Sequence, residues 1–228
     1  MLHPPSVADT DKRLRCARCL RPQRTCICQW ITPTASAVEL LLLQHPLETK
    51  NAKNSAHLLH LSLFNSKLVI GEQLDEAALQ TLLHAPFENA DSGNDAKKIS
   101  PILLYPQDAQ QSARTDTGTT SQPATTASCL RLVVLDGTWR KSRKMLALNP
   151  LLQQLPRLSL HDAPASHYTI RKAHHPHQLS TYEASCLALM QLENNAEKYQ
   201  ALLTAFDGFV AQQAAQISQH ARPAATKN

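Results

Sequence analysis

Glycine is scarce. Only five occur in 228 residues, Gly71, Gly93, Gly118, Gly137 and Gly208, and each stands alone. No glycine-rich turn therefore exists to cradle a nucleotide in the Rossmann manner. Long apolar runs are also missing. The best, residues 38–43, has the length of a strand and falls far short of a membrane span. Residues 1–12 carry Asp9 and Asp11 and no apolar stretch of the kind a secretory signal needs. The expectation is a cytoplasmic protein. No internal repeat is evident.

The composition is that of a folding chain. Hydrophobic residues make up 43% and charged residues 18%, too apolar for a disordered protein and ordinary for a globular one. The net charge of +5 excludes nothing by itself, but its distribution is uneven. Arg13, Arg15, Arg18, Arg21 and Arg24 crowd around the first cysteines, and Arg140, Lys141, Arg143 and Lys144 follow a tryptophan. Each run is either solvated surface or a patch for a polyanion; arginines without interleaved acid beside a cysteine cluster point to RNA.

From residue 38 onward, short aliphatic runs alternate with segments of helical period, the pattern of an α/β domain with a largely parallel sheet. Strands are predicted at 38–44, 67–70, 102–105, 130–136, 157–160 and 168–171. Helices are predicted at 54–64, 75–84, 140–148, 181–193 and 196–217, the last broken or kinked around Asp207 and Gly208. Residues 88–98 read as a polar turn. Residues 107–128, rich in Gln, Ser, Thr and Ala, read as a flexible insertion between two strands. The expected division is a knuckle at 1–34 and a main domain at 35–220.

Cys16, Cys19, Cys26 and Cys28 form the pattern CxxC, six residues, CxC. In a reducing compartment, four thiols so close point to a shared metal rather than disulfides. Zinc favours four tetrahedral thiolates, and such a site is closed to water and structural. Cys129 and Cys186 sit in apolar surroundings and read as small hydrophobes.

Three further clusters carry chemistry. Asp136, Gly137, Thr138 and Trp139 end a predicted strand and enter a basic helix, where open α/β sheets place their ligands. An acid or hydroxyl there either takes part in chemistry or caps the helix. His45, Pro46, Glu48 and Asn54 follow another strand and form either part of a pocket or a tight turn. Ser166, His167, Tyr168, Ile170, Arg171 and Lys172 lead to Ser180, Thr181 and Glu183, where Ser180 and Glu183 have the capping-box spacing. Arg171 and Lys172 suit a carboxylate or phosphate.

The ordered set CxRCxRPxxxCxC, HPxE, DGTW, IRK and LSTxEA, spread from Cys16 to Ala184, resembles the DTW-domain proteins, the tRNA-uridine aminocarboxypropyltransferases. The resemblance covers the chain from Cys16 to about Phe209. It implies a SPOUT-like α/β fold with a C-terminal trefoil knot, S-adenosylmethionine as co-substrate and tRNA as acceptor. The product implied is 3-(3-amino-3-carboxypropyl)uridine in the variable loop, by similarity to bacterial members. It makes Asp136 the candidate base or N3-orienting carboxylate. His45, Glu48, Gly137, Thr138, Trp139, Ser166, Arg171, Lys172, Thr181 and Glu183 become candidates for the cofactor pocket, with Trp139 either stacking a base or filling the core. Ser55, standing where the family often reads Asn-Thr-Ala, and the insertion 107–128 depart from the common pattern. Two other readings share these features: a SPOUT-type RNA methyltransferase, and a zinc-containing RNA-binding protein without catalysis.

Overall fold

The structure is a computed structural model, and it describes residues 14–51, 53–87, 98–106, 129–160 and 179–221. The expected strand at 168–171, most of the turn at 88–98, the insertion at 107–128, and Ser166, His167, Arg171 and Lys172 lie outside the described residues.

Five strands form one parallel sheet: β1 (Glu39–Gln44), β2 (Ser66–Ile70), β3 (Ser100–Leu104), β4 (Leu130–Asp136) and β5 (Arg157–Leu158), in the order β2-β1-β4-β3-β5. Every residue of β1 and β4 is buried, which explains the apolar runs at 40–43 and 132–135 in these central strands. Side chains still alternate between the two faces. Leu40, Leu42, Leu132 and Val134 pack on one side, with residues of α1 (Ala56–Ser62), α5 (Thr181–Glu193) and α6 (Glu197–Ala221). Leu41, Leu43, Val133 and Leu135 pack on the other, against α2 (Glu76–His84), α3 (Trp139–Leu148) and α4 (Pro150–Gln153).

The amino-terminal ends of β1 and β4 are joined by charge. Glu39 and Arg131 are register partners and form a buried ion pair. The guanidinium also donates to the carbonyl oxygens of Leu82 and Ala85 and lies 4.0 Å from the centroid of the Phe87 ring. A buried cation needs this many partners to offset its lost hydration. The opposite, carboxyl end of the same strand pair carries the residues singled out in the sequence.

One expectation fails. The helix predicted to break at Asp207 and Gly208 runs unbroken from Glu197 to Ala221. Gly208 is there for space: a Cβ at this position would lie 2.1 Å from the Trp30 ring. That contact docks the N-terminal segment on α6. Gln212 holds it further, accepting from the Trp30 indole and donating to the carbonyl oxygen of Cys26. Cys19 and Ile27 consequently belong to the same buried cluster as Tyr182, Phe206 and Phe209.

Candidate active site

Because β1 and β4 are parallel neighbours, their last residues, Gln44 and Asp136, stand side by side. Asp136 is 4% exposed. Its Oδ2 accepts a 2.7 Å hydrogen bond from Gln44 Nε2, and its Oδ1 accepts one of 2.7 Å from Thr181 Oγ1. Its carbonyl oxygen accepts from His45 N at 2.9 Å. Thr181 is presented by the first turn of α5, which the capping box secures: Glu183 N donates to Ser180 Oγ at 3.2 Å and Ser180 N to Glu183 Oε2 at 2.9 Å. Glu183 thus fixes the helix start that aims Thr181 at Asp136.

Thr138, and not Asp136, caps α3; its Oγ1 accepts from Lys141 N. Asp136 is left with its carboxylate directed at Gln44 and Thr181. Gly137 answers to crowding: a Cβ there would stand 3.1 Å from Lys141 Cβ and 3.6 Å from His45 Cβ. Trp139, read from the sequence as stacking a base or filling the core, is 49% exposed at the start of α3.

HPxE is a tight turn that also organises charge. His45 caps the short 3-10 helix Pro46–Glu48. Its Nδ1 accepts from Leu47 N at 3.1 Å, which leaves Nε2 to carry the proton and donate to Glu72 Oε1 at 2.8 Å. The hydrogen bond from Lys144 Nζ, followed by that from His45, holds the Glu72 carboxyl below its ordinary range. Glu48, 2% exposed, accepts from Lys141 Nζ at 2.8 Å and from Asn51 Nδ2 at 3.1 Å. Two of the four cations of α3 therefore pair with acids of the neighbouring loops, Lys141 partly buried and Lys144 exposed.

The structure thus gathers His45, Glu48, Asp136, Gly137, Thr138, Trp139, Thr181 and Glu183 at one edge of the sheet. Gln44, Glu72, Lys141 and Lys144 were not singled out as site residues by sequence reasoning. Gln44 had left one trace, a polar residue closing an apolar run, but its partner depends on strand order.

The cysteines form a second centre. The Sγ atoms of Cys16, Cys19, Cys26 and Cys28 all lie within 4.8 Å of one another, with Cys16 to Cys28 at 3.5 Å and Cys19 to Cys26 at 3.7 Å. A zinc–sulfur distance of ~2.3 Å gives tetrahedral edges of about 3.8 Å, so the four sulfurs fit a metal. None is in a disulfide. The backbone N–H groups of Cys19 and Arg18 hold the Cys16 thiol down to about 6, while burial and the neighbouring sulfurs push Cys28 up to about 12. Thiolates packed this closely repel one another, and a divalent cation would relieve that repulsion. Leu20, just past the CxxC, takes a left-handed φ of 58°, which lets Leu20 N donate to Cys16 O and Cys16 N to Arg21 O. Arg21 then reaches out of the knuckle. Its Nη2 donates to Asn54 O at 2.9 Å, and Asn54 Nδ2 donates to Glu48 O at 3.2 Å.

The DTW domain family matches residues 13–214. Among curated proteins, the chain is 29% identical over 201 residues to tRNA-uridine aminocarboxypropyltransferase 2 of Drosophila melanogaster, covering 85% of this chain and 72% of that one. It is 26% identical over 218 residues to tRNA-uridine aminocarboxypropyltransferase 2 of Macaca fascicularis, covering 92% and 68%. With tRNA-uridine aminocarboxypropyltransferase A of Arabidopsis thaliana it shares 27% identity over 146 residues, 59% of this chain and 51% of that one. No solved structure matches significantly.

Proposed function

The chain belongs to the DTW domain family, and on that premise we propose that it transfers the 3-amino-3-carboxypropyl group of S-adenosylmethionine to N3 of a tRNA uridine in the variable loop. The observation that carries this reading is the clamp of Gln44 and Thr181 on Asp136, which with the bond from His45 N to the Asp136 carbonyl oxygen unites three separate motifs at the carboxyl edge of a parallel sheet. The names of the similar proteins supply the substrate class.

S-adenosylmethionine supplies a sulfonium leaving group. The reaction forms a bond between uridine N3 and the arm carbon next to sulfur, breaks the carbon–sulfur bond, and returns that electron pair to sulfur in neutral methylthioadenosine. One proton leaves N3. Asp136 is the group that orients the N3–H edge and receives or relays this proton. A carboxylate accepts on both oxygens, and the bonds from Gln44 and Thr181 fix its plane. Gly137 permits close approach at the turn, Thr138 and Glu183 hold the two helix starts, and His45 and Glu48 hold the loop between them.

Ser166, Arg171 and Lys172 complete the proposal as cofactor contacts. Arg171 is the better partner for the methionine carboxylate because its planar fork can bind both oxygens. Zinc in the four-cysteine knuckle is structural, and the surrounding arginines meet tRNA phosphates without reading sequence. A SPOUT-like fold with a C-terminal trefoil knot and a cytoplasmic location belong to the same reading. The parallel sheet and the lack of a glycine-rich turn favour it, and no helix among the described residues is long and apolar enough to cross a membrane.

By-product analysis tests the reaction. Purified protein incubated with S-adenosylmethionine and tRNA lacking the modification is expected to release methylthioadenosine. Release of S-adenosylhomocysteine would instead establish a methyltransferase, and RNA binding without either product would leave a binding protein.

A further inference from the structure

Trp139 is an exposed aromatic on the rim of a site whose His45, Glu48 and Asp136 are buried. Asp136 and Ser142, three residues away on either side, are both buried, yet Trp139 is about half exposed. Its setting is ordered. Tyr105, just past the end of β3, meets it edge to face, with centroids 5.9 Å apart and planes at 74°. Tyr105 is braced in turn: its N–H donates to Leu158 O at 3.1 Å, and the Arg157 guanidinium lies 5.3 Å from its ring centroid. An edge-to-face contact uses at most one face of the indole, so a planar partner can still take the other.

The charge around this indole is positive. Of the four cations on α3, Lys141 and Lys144 are neutralised by Glu48 and Glu72. Arg140 and Arg143 are exposed, and neither forms an ion pair among the described residues. Trp139 and Arg143 are four apart on one helix and share a face. An arginine one turn from an open indole matches a nucleotide whose base stacks on the ring while its phosphate meets the guanidinium.

We propose that Trp139, buttressed by Tyr105, is a stacking ledge for an unpaired RNA base, with Arg143 and Arg140 taking the adjoining phosphates. This rests on RNA being the acceptor, and it assigns the indole to the RNA rather than to the adenine of S-adenosylmethionine. The ledge holds the RNA strand while Asp136 addresses the target edge, so its loss weakens binding more than turnover.

Tryptophan fluorescence tests it, with the Trp139→Phe difference isolating this indole from Trp30. Hexauridylate should quench the Trp139 signal; an abasic oligomer with the same phosphates and S-adenosylmethionine alone should not. Trp139→Ala should weaken hexauridylate binding on the order of tenfold, with Trp139→Phe restoring part of it. Arg143→Glu should weaken both oligomers and flatten the salt dependence. Quenching by S-adenosylmethionine alone, or equal hexauridylate binding by Trp139→Ala and the parent protein, would overturn the ledge. The two proposals fail separately. Base-dependent quenching without product would retain the ledge and remove the transferase, whereas product formation with an unchanged KM in Trp139→Ala would do the reverse.

Discussion

Gln44 donates its side-chain amide to one oxygen of Asp136 across the β1–β4 pair, at 2.7 Å, between residues 92 positions apart in the chain. The bond is set by strand register, since Gln44 and Asp136 are the last partners of a ladder that begins at Glu39 and Arg131. Gln44→Leu leaves a buried carboxylate oxygen facing an apolar side chain and should cost about 1–3 kcal/mol of stability. Asp136→Asn should lower transfer on the order of 100-fold, the scale of a lost proton acceptor. Chemical denaturation and single-turnover kinetics on the two variants separate these effects.

Gly208→Ala tests the docking of the knuckle. The added methyl group would penetrate the Trp30 ring, and neither the helix backbone nor the packed indole can yield freely. Alanine is the better helix former, so local propensity alone would make the change stabilising. The expected result is a loss of about 1–3 kcal/mol from overpacking, seen as a lower melting temperature with exposure of Trp30 by fluorescence.

Metal removal should act beyond the knuckle. Cys19 and Ile27 are part of the larger core cluster, and Arg21 links the CxxC turn to Asn54 and so to the backbone of Glu48. Chelation, or Cys16→Ser, is expected to lower the single melting transition of the chain, not merely to free its N-terminus. Elemental analysis should give one zinc per chain. Arg21→Met should keep the metal and loosen the 48–54 loop, detected as faster amide exchange there.

Glu72 sets an acid limit on the site. The Lys144 hydrogen bond first, then that of His45, depresses its pKa below the ordinary value of 4.5. A depressed carboxyl contributes stability that is complete above the unfolded-state value and is lost as pH falls through the folded one. The bridge to His45 should therefore persist at neutral pH and fail only below the usual carboxylate range. Lys144→Met removes the larger cause, and carboxyl-carbon NMR should show Glu72 titrating closer to 4.5.

The central elements could be read from the sequence because their signals are local. β4 spans residues 130–136 as expected, since a short aliphatic run interrupted at Arg131 and ending in Asp-Gly reads as a strand. α5 spans residues 181–193 as expected, because the Ser180–Glu183 box marks its start. Gly208 was misread because a glycine in a helical pattern carries the same local signal whether it breaks the helix or admits another ring, and Trp30 lies far away in the chain. The motif centres were legible as residues, but their wiring was not. That Asp136 is held by Gln44 and Thr181, and that Lys141 and Lys144 pair with Glu48 and Glu72, follows from strand order and from loops meeting over the sheet edge.

The most direct test uses two preparations of S-adenosylmethionine, one carrying carbon-13 in the methyl group and one in the aminocarboxypropyl arm. Each is incubated with the protein and unmodified tRNA, and the digested nucleosides are weighed by mass spectrometry. The expected result is an arm-labelled uridine whose N3 is substituted, formed by the parent protein and greatly reduced in Asp136→Asn. Label from the methyl group in the nucleoside, or arm-labelled uridine formed equally well by Asp136→Asn, would contradict the account.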